Sequence, residues 1–124
     1  MPVLRFLAII LGLSLIIGEA YRSWGAGRPV MFWMDDMIMG AMLITAAIMI
    51  SKDTFHRRAF FAAAWGTNAG MLYGSFFGKV FAPADANAGN FDLGLLTILI
   101  GIAFATAVAG MIASIVLQRG RTTD

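Results

Sequence analysis

The sequence predicts an all-α integral membrane protein, a four-helix bundle running up-down-up-down with both termini on the cytoplasmic side. Three observations predict it. The chain is 60% hydrophobic and only 13% charged over 124 residues, where a soluble domain carries roughly 25% charge. A chain this short leaves much of its surface exposed and could not bury so much apolar side chain in water. Four stretches, residues 3–22, 29–50, 55–81 and 93–117, are each long enough to cross a hydrocarbon core, which takes about 20 apolar residues. Finally, small residues recur at every fourth position in the third and fourth stretches, the pattern by which helices pack closely in lipid.

The first span ends in Glu19, Tyr21 and Arg22, and Trp24 follows in a short Gly-rich connection over residues 23–28. Tyr and Trp at that end fit an interfacial aromatic belt. Gly18 and Ala20 could form the small-x-small site of a cleaved signal peptide. However, Arg5 alone is a weak positive n-region, and the apolar run is long enough to span if Arg5 snorkels to the interface. A retained span is therefore the expectation. The Gly-Ala-Gly over residues 25–27 lacks the strand and helix context of a phosphate loop and reads as a turn.

The second span opens with Pro29, suited to the first helical position, and carries Trp33 near that end. It holds Met31, Met34, Met37, Met39, Met42 and Met49. Thioethers are soft ligands for Cu(I), but no Cys or His lies near them, and methionine more commonly fills irregular apolar gaps. No metal site and no cofactor are expected. Residues 51–54 make a connection so short that the flanking helices must be antiparallel. Asp53 or Thr54 can cap the third helix and Asp92 the fourth. The connection over residues 82–91, with Pro83, Asp85, Asn87, Gly89 and Asn90, reads as a flexible polar loop.

Charge sets the orientation. Arg5, Lys52, Arg57, Arg58, Arg119 and Arg121 lie at one end and Arg22, Arg28 and Lys79 at the other. The richer end is expected in the cytoplasm, which suits a bacterial inner membrane. Lys52, Arg57 and Arg58 are expected to touch anionic lipid. His56 beside them reads as a solvated interfacial residue.

Two rows of small residues are the expected helix-packing faces. One is Gly66, Gly70, Gly74 and Gly78, the other Gly101, Ala105 and Ala109, extended by Thr97 and Ala113. On consecutive antiparallel helices they suggest a tight α-helical pair, and the length of the glycine row also leaves a homo-oligomer or a membrane-protein partner open.

The chemistry lies in charges within the spans. Residues 37–50 make only about 21 Å of helix at 1.5 Å per residue. The second span must therefore reach back past Asp35 and Asp36 to cross a core of about 30 Å. Glu19, Arg22, Asp35, Asp36, Tyr73 and Lys79 then fall at one depth near the outer end, with Asn68 deeper. Ionisable residues at such depth face protein or water. In one reading Glu19, Asp35 and Asp36 pair with Arg22, Arg28 and Lys79 and lock the helix ends. In the other, Glu19, Asp35, Asp36, Asn68 and Tyr73 line a wet vestibule that binds a cation. Neighbouring aspartates point about 100° apart, so the pair is expected to divide, with Asp36 facing the site and Gly40 leaving room one turn deeper.

Three function classes follow. The first is a small transporter or channel-like protein with an acidic outer vestibule for a cation or cationic solute. The second is a non-catalytic accessory or assembly subunit docking through the small-residue faces. The third, a membrane enzyme acting on lipid or quinone, has the least to carry it, since no span shows a histidine pair, metal-ligand spacing or an activated nucleophile. No enzyme activity is expected. A net charge of +2 and the absence of a basic cluster give no reason to expect nucleic-acid binding. With no cysteine, disulfides and thiol chemistry are excluded.

Overall fold

A computed structural model describes residues 2–25, 27, 30–52, 54–85 and 89–118, with side chains at all of these but 30–33, 85 and 118. Among them are α1 (Pro2–Ser23), α2 (Val30–Met49), α3 (Phe55–Phe81) and α4 (Leu93–Gln118), a single 3-10 turn at Pro83–Asp85, and no strand. Two helices, Pro2–Ser23 and Leu93–Leu117, are long and apolar enough to cross a membrane. Pro29, Arg28, Asp53, Asn87, Arg119 and Arg121, named above, lie outside the described residues, as do the side chains of Met31 and Trp33.

The helix ends follow from local chemistry. Past Ser23, Gly25 and Gly27 take φ of 67° and 70°, a left-handed backbone that ends a helix cheaply only at glycine. Thr54 is extended and its hydroxyl accepts from the Arg57 N–H at 3.3 Å, an N-cap for α3. At the far end the Ala82 N–H closes on Gly78 O at 2.9 Å, and Pro83 stops the helix. Asp92 caps α4 by accepting from the Leu95 N–H at 3.1 Å.

The helices pack in chain order around a ring. The contacts of α1 with α2 and of α3 with α4 are the most extensive, those of α2 with α3 are fewer, and α1 and α4 touch least. The core carries Leu11 and Leu15 from α1, Leu43 from α2, Phe61 and Trp65 from α3, and Ala107 from α4. Large apolar side chains such as Phe6, Ile17, Ile98 and Ile112 cover the outside instead.

The basic residues expected to touch lipid have a structural task. The Arg57 Nη1 donates to Met49 O at 2.8 Å, and the Arg5 Nε donates to Ala47 O at 2.9 Å. Both cover orphan carbonyls at the end of α2, where positive charge also suits the helix dipole. Arg58 is buried, and Lys52 and His56 are exposed.

The small-residue rows are not the close seams. A methyl group on Gly70, Gly74 or Gly78 would meet nothing within 4 Å, and only Gly66 borders α4, 3.4 Å from the Met111 sulfur. Ala105 and Ala109 are exposed. Geometry explains the miss. Four residues turn an α-helix by about 400°, so a strict four-residue repeat drifts roughly 40° per step, about a third of a circle over three steps. The buried face of α4 mixes steps of four and three, through Leu96, Ile100, Ala107, Gly110 and Ser114.

The closest approach lies elsewhere, between α1 and α2. A Cβ on Gly12 would sit 2.7 Å from Gly40 O, and one on Gly40 would sit 2.7 Å from Gly12 O. The two backbones therefore touch directly. Gly40 is filled by Gly12 and Ile16 and leaves no room for water or an ion, contrary to the expectation. Glycine serves two further contacts on α4: Gly101 lies under the Phe76 ring and Gly110 under Trp65.

Candidate cation site at the open helix seam

The site forms where α1 ends and α2 begins. Glu19 lies one turn before the end of α1 and is 2% exposed. The Ser23 hydroxyl donates to its Oε1 at 2.7 Å, and the Arg22 guanidinium lies 3.5 Å from its Oε2. Asp36, on the first turns of α2, lines the same cavity as Glu19 and Arg22. Asp35 is exposed, and its Oδ1 accepts from the Asp36 N–H at 2.7 Å. The two aspartates thus divide as their helical spacing requires.

Glu19, Arg22 and Asp36 close one end of a cavity of about 330 Å³ between α1 and α4. Its remaining walls are chiefly Leu, Ile and Ala side chains. Two hydroxyls lie along it, but the Ser14 hydroxyl donates to Ile10 O at 2.7 Å and that of Thr106 to Ile102 O at 2.8 Å. Both donate to their own helices, and the charged groups are concentrated at the Glu19–Asp36 end. Leu7, Ile10, Leu99 and Ile102 line the cavity and are also exposed on the outer surface of the molecule.

The loop before α4 is anchored at this end rather than wholly flexible. The Asn90 Nδ2 donates to Tyr21 O at 2.8 Å and to Trp24 O at 2.7 Å, and its N–H donates to Arg22 O at 3.0 Å. These bonds satisfy orphan carbonyls at the end of α1. Gly89 has φ of 58° and lies against Arg22 O, where any Cβ would collide. Phe91 then lines the cavity and packs edge-on against Tyr21, with ring centroids 4.8 Å apart.

No protein-family model, curated protein or solved structure matches this chain. The candidate site therefore rests on its own geometry.

Of the residues singled out in the sequence, Glu19, Arg22 and Asp36 are brought together. Asn68 is not among the cavity residues. It is fully buried, and its Nδ2 donates to Met39 O at 3.2 Å and to Ala64 O at 2.8 Å, tying α3 to α2. Its Oδ1 and the Trp65 Nε1 are buried without a hydrogen-bond partner among the described residues. Tyr73 is exposed in an aromatic group with Phe77 and Phe104, at 4.8 and 5.8 Å. The Lys79 Nζ donates to Ser75 Oγ at 2.8 Å on its own helix. Arg28 lies outside the described residues. Met34 is exposed and Met37 half-buried.

Sequence reasoning missed Ser23, Gly89, Asn90 and Phe91. For Gly89 and Asn90 there was a signal: the pair Gly-Asn just before a helix is turn chemistry, although nothing in it tells which helix end the turn will reach.

Proposed function

We propose that the chain is a small four-span membrane protein, transporter or channel-like, that binds a cation or cationic solute through Glu19 and Asp36. One observation carries the reading: two acidic side chains from different helices, Glu19 and Asp36, line the polar end of one cavity. A cation entering the cavity meets both acids at that end. Arg22 beside Glu19 keeps the pair from accumulating excess negative charge. An inner-membrane location with both termini inside completes the proposal, supported by the excess of basic residues at one end.

The test uses proteoliposomes and ethylammonium as a small monovalent cation. Asp36→Asn should lower ethylammonium binding about tenfold, the effect of losing a charged hydrogen-bond partner worth roughly 1.4 kcal/mol, and should reduce any associated proton movement. Thermal stability should change little, since Asn keeps the size and polarity of Asp. Unchanged binding with a marked loss of stability would make the pair a structural lock.

The accessory-subunit reading has its own support. Gly70, Gly74 and Gly78 face open space in the single chain, leaving a smooth strip of α3 available to another helix.

A further inference from the structure

Resting on the cation-site reading, we propose that the cation is the primary ammonium of an aminophospholipid, with its headgroup at Glu19, Asp36 and Arg22 and one acyl chain in the α1–α4 trough. Shape argues for this occupant first. The cavity wall on α1 runs from Leu7 to Arg22, about 22 Å at 1.5 Å per residue. One leaflet of a bilayer is about 15 Å deep, half of a core of about 30 Å. The trough is therefore longer than one leaflet is deep, so an acyl chain fits along it with its headgroup at the polar end.

Access agrees with shape. Leu7, Ile10, Leu99 and Ile102 belong both to the cavity and to the outer surface. A chain can enter sideways between α1 and α4 without leaving the bilayer. Below Glu19 the lining is chiefly apolar, and the Ser14 and Thr106 hydroxyls donate to their own helices, so an acyl chain suits that stretch better than a polar solute.

The charges select the headgroup. A bare cation is attracted by the carboxyl pair but repelled by Arg22 next to it. A headgroup with both signs uses all three groups: guanidinium geometry suits phosphate, and a primary ammonium has three donors for two carboxyl groups. An anionic glycerol headgroup lacks the ammonium and meets two acids. A choline headgroup has the charge but no N–H to donate.

The full-length protein in nonionic detergent, offered equal amounts of phosphatidylethanolamine, phosphatidylcholine and phosphatidylglycerol, tests the proposal by native mass spectrometry. Phosphatidylethanolamine should be retained about tenfold over each of the others, the effect of one charged hydrogen bond. Stabilisation by ethylammonium, read as a rise in unfolding midpoint, is measured in parallel. Ile102→Trp, at an exposed rim position, should block the trough and abolish lipid retention while leaving the ethylammonium effect intact. Asp36→Asn should lose both. Equal retention of the three lipids, with ethylammonium stabilisation that still depends on Asp36, would overturn the lipid proposal and leave the cation site standing. Equal retention without such stabilisation would overturn both. Unchanged phosphatidylethanolamine retention in folded Ile102→Trp would also overturn the lipid proposal, since the trough would then not hold the chain.

Discussion

Helix α1 has two neighbours and treats them differently. Towards α2 it presents Gly12, and the two backbones touch at Gly40. Towards α4 it presents Leu7, Ile10 and Leu11, and a cavity remains between the helices. Glycine lets helices approach without side chains between them, whereas leucine and isoleucine hold them apart at the width of their own branches. The close seam fixes α1 on α2 and so brings Glu19 to Asp36. The open seam gives that pair a space to act on. Position and access are thus supplied by opposite faces of one helix.

The largest break in this contrast should come from Gly40→Leu. Its side chain would strike Gly12 O and Ile16, a backbone that cannot yield as a flexible side chain can. A loss of about 3 kcal/mol is expected, the upper part of the usual overpacking range, read by thermal unfolding in detergent. Separation of Glu19 from Asp36 should follow, with loss of ethylammonium binding. A Gly40→Leu protein as stable as the parent would mean that the seam is not tight.

Asn90→Ala tests the mouth of the open seam. It removes two side-chain hydrogen bonds to the end of α1, and about 1–2 kcal/mol of stability should go with them. The backbone bond from Asn90 to Arg22 O remains possible, so the fold should survive. Amide hydrogen exchange should quicken in residues 20–24 and leave the Gly12 region unchanged.

The smallest effect sharpens the comparison from outside. Gly74→Leu places a side chain in open space and should alter the stability of the single chain by no more than about 0.5 kcal/mol. Loss of an oligomer or of a co-purifying membrane protein in that variant alone would strengthen the accessory-subunit reading. A large loss in the monomer would contradict the orientation of α3.

The helices themselves were legible in the sequence. The observed limits of all four agree with the apolar stretches to within a residue at nearly every end, because apolar length, Thr54, Asp92, Pro83 and the glycines after Ser23 are local signals. The division of Asp35 from Asp36 was legible too, being a matter of helical angle. Packing was less so. The conspicuous glycine row drifts out of contact, while Gly12 and Gly40, each alone among bulky residues, form the close seam. Their signal was faint: two isolated glycines at matching distances from the loop joining α1 and α2. Tyr73 and Asn68 were placed by depth alone, and depth says nothing about which side of a helix a residue faces. The reach of Asn90 to the end of α1 depends on a contact across more than half of the chain, which no local pattern encodes.

That long reach has a consequence for how the protein is made. The walls of the cavity come chiefly from α1 and α4, the first and the last of the described helices. At about 5–20 residues per second, α4 follows α1 by roughly 5–20 s. Over that interval the Glu19 side of α1 has no α4 beside it, and in the proposed membrane setting an acid left bare in lipid would be costly. Asp36, which lines the cavity with Glu19, comes from α2, the next helix made. The hairpin of α1 and α2 can therefore shelter its own acid while it waits, and Asn90 fastens the ring only when the final helix arrives. A ribosome-bound chain stalled before residue 90 should already hold Glu19 against Asp36, with the trough still unbuilt.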